Sequence, residues 1–286
     1  MSRKKLPIGI QTFAKIREAD YYYVDKTAFA LRLIDEGSHY FLSRPRRFGK
    51  SLFIDTLAEL FEGNEPLFRG LHCHDKWDWS VKYPVIRFSF GGGVMESRAG
   101  LDRRIDELLQ DNEQRLELDG KAGSVPGRFA ALIRAAELRY GQRVVVLVDE
   151  YDKPILDNLT RPDIARQMRD GLRDLYSVIK DADAHIKFAM LTGVSKFSKV
   201  SLFSGLNNLK DITVDARYSA ICGYTDADVD TVFAPELDGL DRERIREWYN
   251  ATTGPASRST TPSTCCCCST TGISVPIGSR PARRLS

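Results

Sequence analysis

Long apolar runs are missing from this 286-residue sequence, in which 28% of residues are charged and 42% are hydrophobic. A membrane-spanning helix needs about 20 consecutive, mostly apolar residues, so we expect no membrane partner. The basic start, Met1 to Lys5, leads into a stretch that Pro7, Gly9 and Gln11 interrupt before a signal-peptide core could form. We therefore expect a cytoplasmic protein.

Cysteine is scarce outside one short run. Cys265 to Cys268 are consecutive, and the rest of the chain holds only Cys73 and Cys222. This distribution fits a reducing compartment better than a disulfide framework. The four consecutive cysteines also lack the spacing of a structural zinc site.

Acidic residues are absent from residues 251–286, which contain Arg258, Arg280, Arg283 and Arg284. Removing these four from the 42 basic residues leaves 38, against 39 acidic residues, so the rest of the chain is nearly neutral. A short basic tail is weak ground for a polyanion partner. Nucleic-acid binding is thus possible but not indicated.

Strand-like and helical patterns alternate as far as Asn250, which predicts an α/β fold with a mostly parallel sheet flanked by helices. The uninterrupted apolar run Val144 to Val148 is typical of a strand buried on both faces. Further strands are predicted at Tyr40 to Ser43, Val85 to Phe90 and Ile186 to Leu191. Helices are predicted at Lys50 to Glu62, Leu101 to Leu118, Arg128 to Arg139, Ile164 to Lys180, Asp226 to Phe233 and Arg242 to Tyr249.

Regular periodicity is lost after Asn250, where Ser, Thr, Pro, Gly, Arg and the cysteine run dominate. This composition predicts one domain over residues 6–250 and a disordered tail over residues 251–286. A shifted reading frame offers a more specific explanation. Cysteine codons begin TG, so the neighbouring frame conceals four apolar residues at Cys265 to Cys268, and Ala251 to Gly254 can be reconstructed as GYNW. We therefore expect a frameshifted, truncated chain.

The first chemical pattern, SRPRRFGKS from Ser43 to Ser51, lies between a predicted strand and a predicted helix. Loop N–H groups and a helix N-terminus converge on phosphate in this context. The phosphate loop would comprise Arg44, Pro45, Arg46, Arg47, Phe48, Gly49, Lys50 and Ser51. Lys50 would contact the β- and γ-phosphates, and the Ser51 hydroxyl would bind Mg²⁺. Arg44 occupies the position of the first glycine in GxxxxGK[ST], and a basic surface turn is the alternative interpretation.

The second pattern follows the buried strand, where Asp149 and Glu150 come directly after Val148. The carboxyl edge of a parallel sheet is where ligands bind in such folds. Asp149 would hold Mg²⁺, and Glu150 would orient and deprotonate the attacking water. A simple helix start is the competing interpretation of these acidic residues.

A third feature is the polar end of the strand Ile186 to Leu191. Thr192 is the better candidate for contacting the attacking water or the γ-phosphate, and Ser195 is the second. An ordinary strand-end threonine is the alternative.

These motifs and their surroundings resemble the bacterial and archaeal AAA-ATPase-like family. The resemblance rests on LPIGIQTF, YYYVDKT, YFLSRPRRFGKSL, VDEYDKPI, LTGVSKFSKVSLFSGLNNLKDIT, ICGYT and REWYN, which span residues 6–250. It implies that SRPRRFGKS replaces the glycine-rich loop, that the ligands are ATP and Mg²⁺, and that Thr192 is a sensor. Such proteins usually continue into a PD-(D/E)XK nuclease-like domain, of which no residue is found here. Tyr23, Asp25 and Lys26 match a motif whose role the sequence does not give.

Three functions stay open at this point. The first is a Mg-dependent ATPase that couples hydrolysis to conformational change, and Glu150 favours it. The second is a nucleotide-gated binding or signalling module with little turnover. The third is an inactive, truncated relic. The protein partner and the choice between ATP and GTP are not specified by any motif.

Overall fold

The computed structural model describes residues 3–120, 123–195, 208–242 and 259–260. Five strands form one parallel sheet in the order β2-β3-β4-β1-β5. Their bounds are β1, His39–Ser43; β2, Val85–Ser89; β3, Val144–Asp149; β4, Ile186–Gly193; and β5, Lys210–Asp211. The predicted α/β fold and four predicted strands are confirmed, and β5 is an additional edge strand.

Helices cover both faces of the sheet. Their bounds are α1, Phe13–Glu18; α2, Thr27–Glu36; α3, Lys50–Phe61; α4, Arg98–Arg115; α5, Val125–Tyr140; α6, Lys153–Leu156; α7, Pro162–Asp181; and α8, Asp226–Val232. The sequence predicted α3, α4, α5, α7 and α8 but missed α1, α2 and α6, which are short or begin without a strong cap. None of the helices within the described ranges is long and apolar enough to cross a membrane.

The central strand β3 is buried on both faces of the sheet, which explains its uninterrupted run of apolar residues. Val145 and Leu147 pack in one core with residues of α2 and α3, whereas Val146 and Val148 pack in a second core with α4, α5 and α7. Successive side chains of a strand point to opposite faces. Burial on both faces, predicted from the run Val144 to Val148, is therefore confirmed.

The strand register brings the carboxyl ends together at one edge. Ser43 of β1 lies beside Gly193 of β4, and Ser89 of β2 lies beside Asp149 of β3. Since all these strands are parallel, the segments that leave β1, β3 and β4 emerge at the same edge. This edge carries all three patterns that the sequence singled out.

A third, smaller cluster joins distant parts of the chain. Tyr22 and Val24 pack against Tyr224, Val229 and Phe233. Tyr224 belongs to the short strand β6, Tyr224–Thr225, which pairs antiparallel with β7, Ser259–Thr260. The cluster fixes the residues before α2 to the residues around α8.

Parts of three predictions lie outside the described residues. They concern the helix beyond Arg242, the motif residues 196–207, and the disorder of the tail apart from Ser259 and Thr260. The sequence predicted no strand for those two tail residues. The domain boundary at residue 250 stays a prediction.

Candidate functional site

The phosphate-loop candidate connects β1 directly to α3. Gly49, with φ of +83°, ends the loop, and Lys50 begins the helix. Arg47 also has a positive φ of +66°, and the neighbouring Phe48 is buried in the core beside α3. The first N–H groups of α3 have no partner within the helix, and the positive end of its dipole favours anions. The loop therefore has the strand-loop-helix context that the sequence predicted.

Lys50 lies across the loop. Its ammonium donates to the carbonyl oxygens of Arg44, at 2.9 Å, and Pro45, at 3.0 Å. Burial lowers the pKa of Lys50, and the nearby carboxylates of Asp149 and Glu150 oppose that shift. The Lys50 ammonium thus lies against the loop backbone, and Lys50 and Glu150 line a common cavity.

Arg44 has contacts that the glycine of the usual pattern could not make. Its guanidinium donates to the carbonyl oxygens of Thr213 and, at 3.5 Å, of Tyr218. Its backbone N–H donates to Gly193 O at 3.2 Å. The side chain therefore ties the start of the loop to the segment after β5, while Pro45, Arg46 and Arg47 are exposed.

Asp149 and Thr192 are joined by a short hydrogen bond. Thr192 Oγ1 donates to Asp149 Oδ1 at 2.5 Å, and Glu150 N donates to the same oxygen at 3.1 Å. Thr192 is fully buried, and Asp149 is nearly so. The structure gives Thr192 the position of a residue that orients Asp149, because β4 pairs directly with β3.

Glu150 has a backbone conformation that is uncommon for residues other than glycine. Its φ of +54° lies in the left-handed region, which costs roughly 1 to 2 kcal/mol. Burial and the Asp149 charge raise the pKa of Glu150, while Lys50 opposes the shift. A Cβ on Gly91 would lie 3.2 Å from Glu150 Oε2, so a residue with no side chain lies beside the carboxylate. Backbone strain of this kind is concentrated at functional sites.

Tyr151 and Asp152 are site residues that the sequence prediction missed. Asp152 is buried and accepts hydrogen bonds from Ser195 N, at 2.7 Å, and Val194 N, at 3.1 Å. A Cβ at Gly193 would overlap the Tyr151 ring. Both residues thus hold the segment that leaves β4 beside the acidic end of β3. The acidic side chain of Asp152, two positions after Glu150, was the sequence signal that could have identified this part of the site.

A cavity of 490 Å³ adjoins the loop. Arg46 to Ser51 and Glu150 form part of its lining. The other walls come from Pro7 to Gln11, the segment around Tyr23, and Ile221 to Tyr224. Three of the sequence motifs without an assigned role therefore meet the phosphate-loop candidate in space.

The residues of the motif around Tyr23 make different contacts. Asp25 accepts from Thr27 N and from His72 N, which fixes the start of α2. Lys26 lines the cavity and donates to Asp228 Oδ2 at 2.8 Å. Tyr23 also lines the cavity.

The parallel sheet, the loop before α3 and the acidic end of β3 give the chain the architecture of the ATPase-like class. Comparison with known families agrees, since residues 7–203 match the AAA-ATPase-like family, described as predicted AAA-ATPase. The chain belongs to this family.

A curated relative shares 73% identity over 251 residues. It is described as "Uncharacterized protein in vnfD 5'region" from Azotobacter chroococcum mcd 1. The match covers 87% of this chain and 49% of the relative, so the chain spans about half the length of the curated relative. No solved structure matches significantly.

Proposed function

We propose that this protein binds Mg-ATP at the edge of the sheet and hydrolyses it. The observation that carries the proposal is that one cavity is lined by Lys50 and Ser51, at the start of α3, and by Glu150, which follows Asp149 at the end of β3. The helix start and Lys50 supply positive charge for the phosphates. The acidic pair supplies groups for metal binding and for activation of water.

The Ser51 hydroxyl and the Asp149 carboxylate are our candidates for holding Mg²⁺. Magnesium takes oxygen ligands and is usually bound by one or two carboxylates together with substrate phosphates. The hydrogen bonds from Thr192 and Glu150 N both end on Oδ1 of Asp149, and we assign Oδ2 to the metal.

Glu150 is our candidate for the residue that deprotonates the attacking water. A raised pKa suits a base that works near neutral pH, and Asp149 and burial supply that shift. Mg²⁺ would contribute neutralisation of phosphate charge. Arg46 and Arg47, exposed on the loop, are candidates for further phosphate contacts.

Lys50→Ala tests the assignment of the loop. We expect Mg-ATP affinity to fall by about tenfold or more, because a buried cation beside the phosphates is lost. Isothermal titration calorimetry measures the affinity, and circular dichroism checks the fold. Lys180→Ala, at an exposed position on α7, is the matched control and should bind like the wild type. Unchanged affinity in Lys50→Ala would show that the loop does not hold the phosphates.

We further propose an ATPase domain over residues 6–250 and a cytoplasmic location. The buried, unpaired thiols of Cys73 and Cys222 support a reducing compartment.

A further inference from the structure

The two peptide groups that flank Glu150 are tied to the ends of β2 and β4, the strands on either side of β3. On the N-terminal side, Asp149 O accepts a hydrogen bond from Phe90 N at 3.2 Å. On the C-terminal side, Tyr151 N donates to Thr192 O at 3.0 Å. The orientations of these two peptide groups set the φ and ψ angles of Glu150. Its left-handed φ of +54° therefore depends on both strand ends keeping their positions.

The end of β4 is held in turn by Asp152, whose side chain is buried. One oxygen of this carboxylate, Oδ2, accepts from Ser195 N at 2.7 Å and from Val194 N at 3.1 Å. Hydrogen bonds to an ionised group are roughly twice as strong as those between neutral groups. We call these two bonds the Asp152 clamp. The clamp joins the segment Gly193–Ser195 to the turn that follows Glu150.

The segment lies in direct contact with the residues that hold it. A Cβ at Gly193 would lie 2.7 Å from Asp152 Oδ1 and would overlap the Tyr151 ring, so a larger residue would displace one or the other. On the opposite side, Ser43 Oγ donates to Val194 O at 2.9 Å. The segment is thus packed between the end of β3 and the end of β1, and it has little room to move while the clamp is intact.

A residue other than glycine persists in the left-handed region only where its surroundings fix it there. We propose that Asp152 is a positioning residue: through its clamp it holds the end of β4, and thereby keeps Glu150 in the conformation that places it at the cavity. The effect on turnover rests on the proposed function, because Glu150 must be the base that activates water. The effect on the backbone at Glu150 does not.

Glycine and alanine substitutions at Glu150 measure the backbone strain without the carboxylate. Glycine adopts a positive φ easily, whereas alanine does so at a cost that exceeds the greater unfolded-state entropy of glycine. With the clamp intact, we expect Glu150→Gly to melt at least about 2 °C above Glu150→Ala. Adding Asp152→Asn to both variants should reduce this difference to below about 1 °C, because the backbone can then relax. Scanning calorimetry measures the four melting temperatures.

Turnover is measured in the chain that retains Glu150. Asp152→Asn should lower kcat for ATP about tenfold or more and leave ATP affinity within about threefold of the wild type, because a displaced base affects the transition state more than binding. A general loss of structure would weaken binding as well. Phosphate release measures kcat, and titration calorimetry measures affinity.

Asp78→Asn is the matched control. This exposed carboxylate also accepts a backbone hydrogen bond, from Ser80 N at 3.0 Å, but it lies outside the cavity lining. It should change neither the melting difference nor turnover. Tyr151→Phe replaces Asp152→Asn if the latter fails to fold. Tyr151 Oη donates to Ser195 O at 2.8 Å, so this variant loosens the same segment while keeping the ring, and it should change both quantities in the same direction.

The melting temperatures and the kinetics can fail separately. A glycine–alanine difference that is absent with the clamp intact, or that persists in Asp152→Asn, overturns the proposal. Unchanged kcat in Asp152→Asn also overturns it, as does an equal loss of kcat and affinity. If the wild type hydrolyses no ATP, the proposed function is wrong, and the melting temperatures alone decide whether Asp152 holds Glu150.

Discussion

Arg44 occupies the position of a motif glycine, but its side chain has a different role. In the usual pattern, glycine lets the loop backbone approach the phosphates. Here the Arg44 side chain instead donates to backbone carbonyl oxygens of Thr213 and Tyr218. Burial lowers the pKa of this guanidinium, which agrees with a position inside the fold. The arginine therefore anchors the loop.

Arg44→Gly should destabilise the protein even though it restores the usual motif. We expect the free energy of unfolding to fall by about 1 to 3 kcal/mol, because buried carbonyl groups lose a charged donor. Urea denaturation measures the change. Arg47→Gly is the matched control: this exposed residue has a positive φ that glycine adopts easily, so stability should change by less than about 1 kcal/mol. Equal losses in both variants would contradict the anchoring role.

Glu150→Gln separates an ATPase from a nucleotide-gated module. The amide keeps the shape of the side chain but cannot accept the proton of water. We expect ATP affinity within about threefold of the wild type and turnover reduced by roughly 10²-fold or more, as is typical when a general base is removed. Phosphate release under saturating Mg-ATP measures turnover, and Glu96→Gln, at an exposed position, is the control. Negligible turnover in all three proteins would favour the module that binds without hydrolysis. Equal, measurable turnover in the wild type and Glu150→Gln would show that Glu150 is not the base.

Among the structural elements, the start of α2 is linked to α8 by the ion pair of Lys26, which lines the cavity, with Asp228. Both side chains are largely shielded from solvent. Asp228 also accepts from Thr225 N at 2.8 Å and so caps α8. Burial raises the pKa of Asp228, but the hydrogen bonds from Lys26 and Thr225 N outweigh it and leave the pKa lowered.

A double-mutant cycle with Lys26→Met and Asp228→Asn should show coupling of about 1 kcal/mol in the free energy of unfolding. Asparagine retains an oxygen for the cap, so the cycle isolates the charge pair. Because the folded pKa lies below the ordinary value, the contribution of Asp228 is present at neutral pH and is lost as the pH falls below about 4.

The pair Asp163 and Arg166 on α7 supplies a matched comparison. Its side chains are 88% and 65% exposed, and such surface pairs contribute little. We expect coupling near zero there. Comparable coupling in both pairs would remove the argument that Lys26 and Asp228 hold the cavity walls.

On the scale of the whole molecule, the sheet, its two layers of helices and the third cluster account for the buried core of the described ranges. The tail contributes the two residues of β7, paired with β6. A two-residue ladder offers few hydrogen bonds, each worth about 0.5 to 1.5 kcal/mol net.

Deleting residues 251–286 should therefore lower the free energy of unfolding by less than about 2 kcal/mol and leave ATP affinity unchanged. Thermal melts and calorimetry measure the two quantities. Sequencing the gene tests the proposed frameshift. Codons after Asn250 that cannot spell GYNW in the neighbouring frame would refute it, and a large loss of stability on deletion would show that the tail belongs to the fold.

The sequence alone determined the main helices and strands, because the residue patterns that predict them are local. An apolar run such as Val144 to Val148 needs burial on both faces wherever it lies, and a glycine followed by Lys50 and Ser51 marks the start of a helix. The α/β class and the acidic strand end could therefore be predicted. The six-residue helix α1, which has no side-chain cap, was missed, and so was α2, although its buried residues Thr27, Ala30 and Leu33 have helical spacing.

Only the tertiary structure decided which residues meet. Thr192 touches Asp149 because β4 pairs with β3, and Arg44 reaches Thr213 because β5 pairs with β1. The cavity unites Ile8 with Ile221 across more than two hundred positions of sequence. Such contacts depend on strand order and on the packing of distant segments, which no local spacing encodes. The sequence alone therefore predicts a phosphate-binding loop before α3, whereas the cavity beside this loop is formed only in the folded chain.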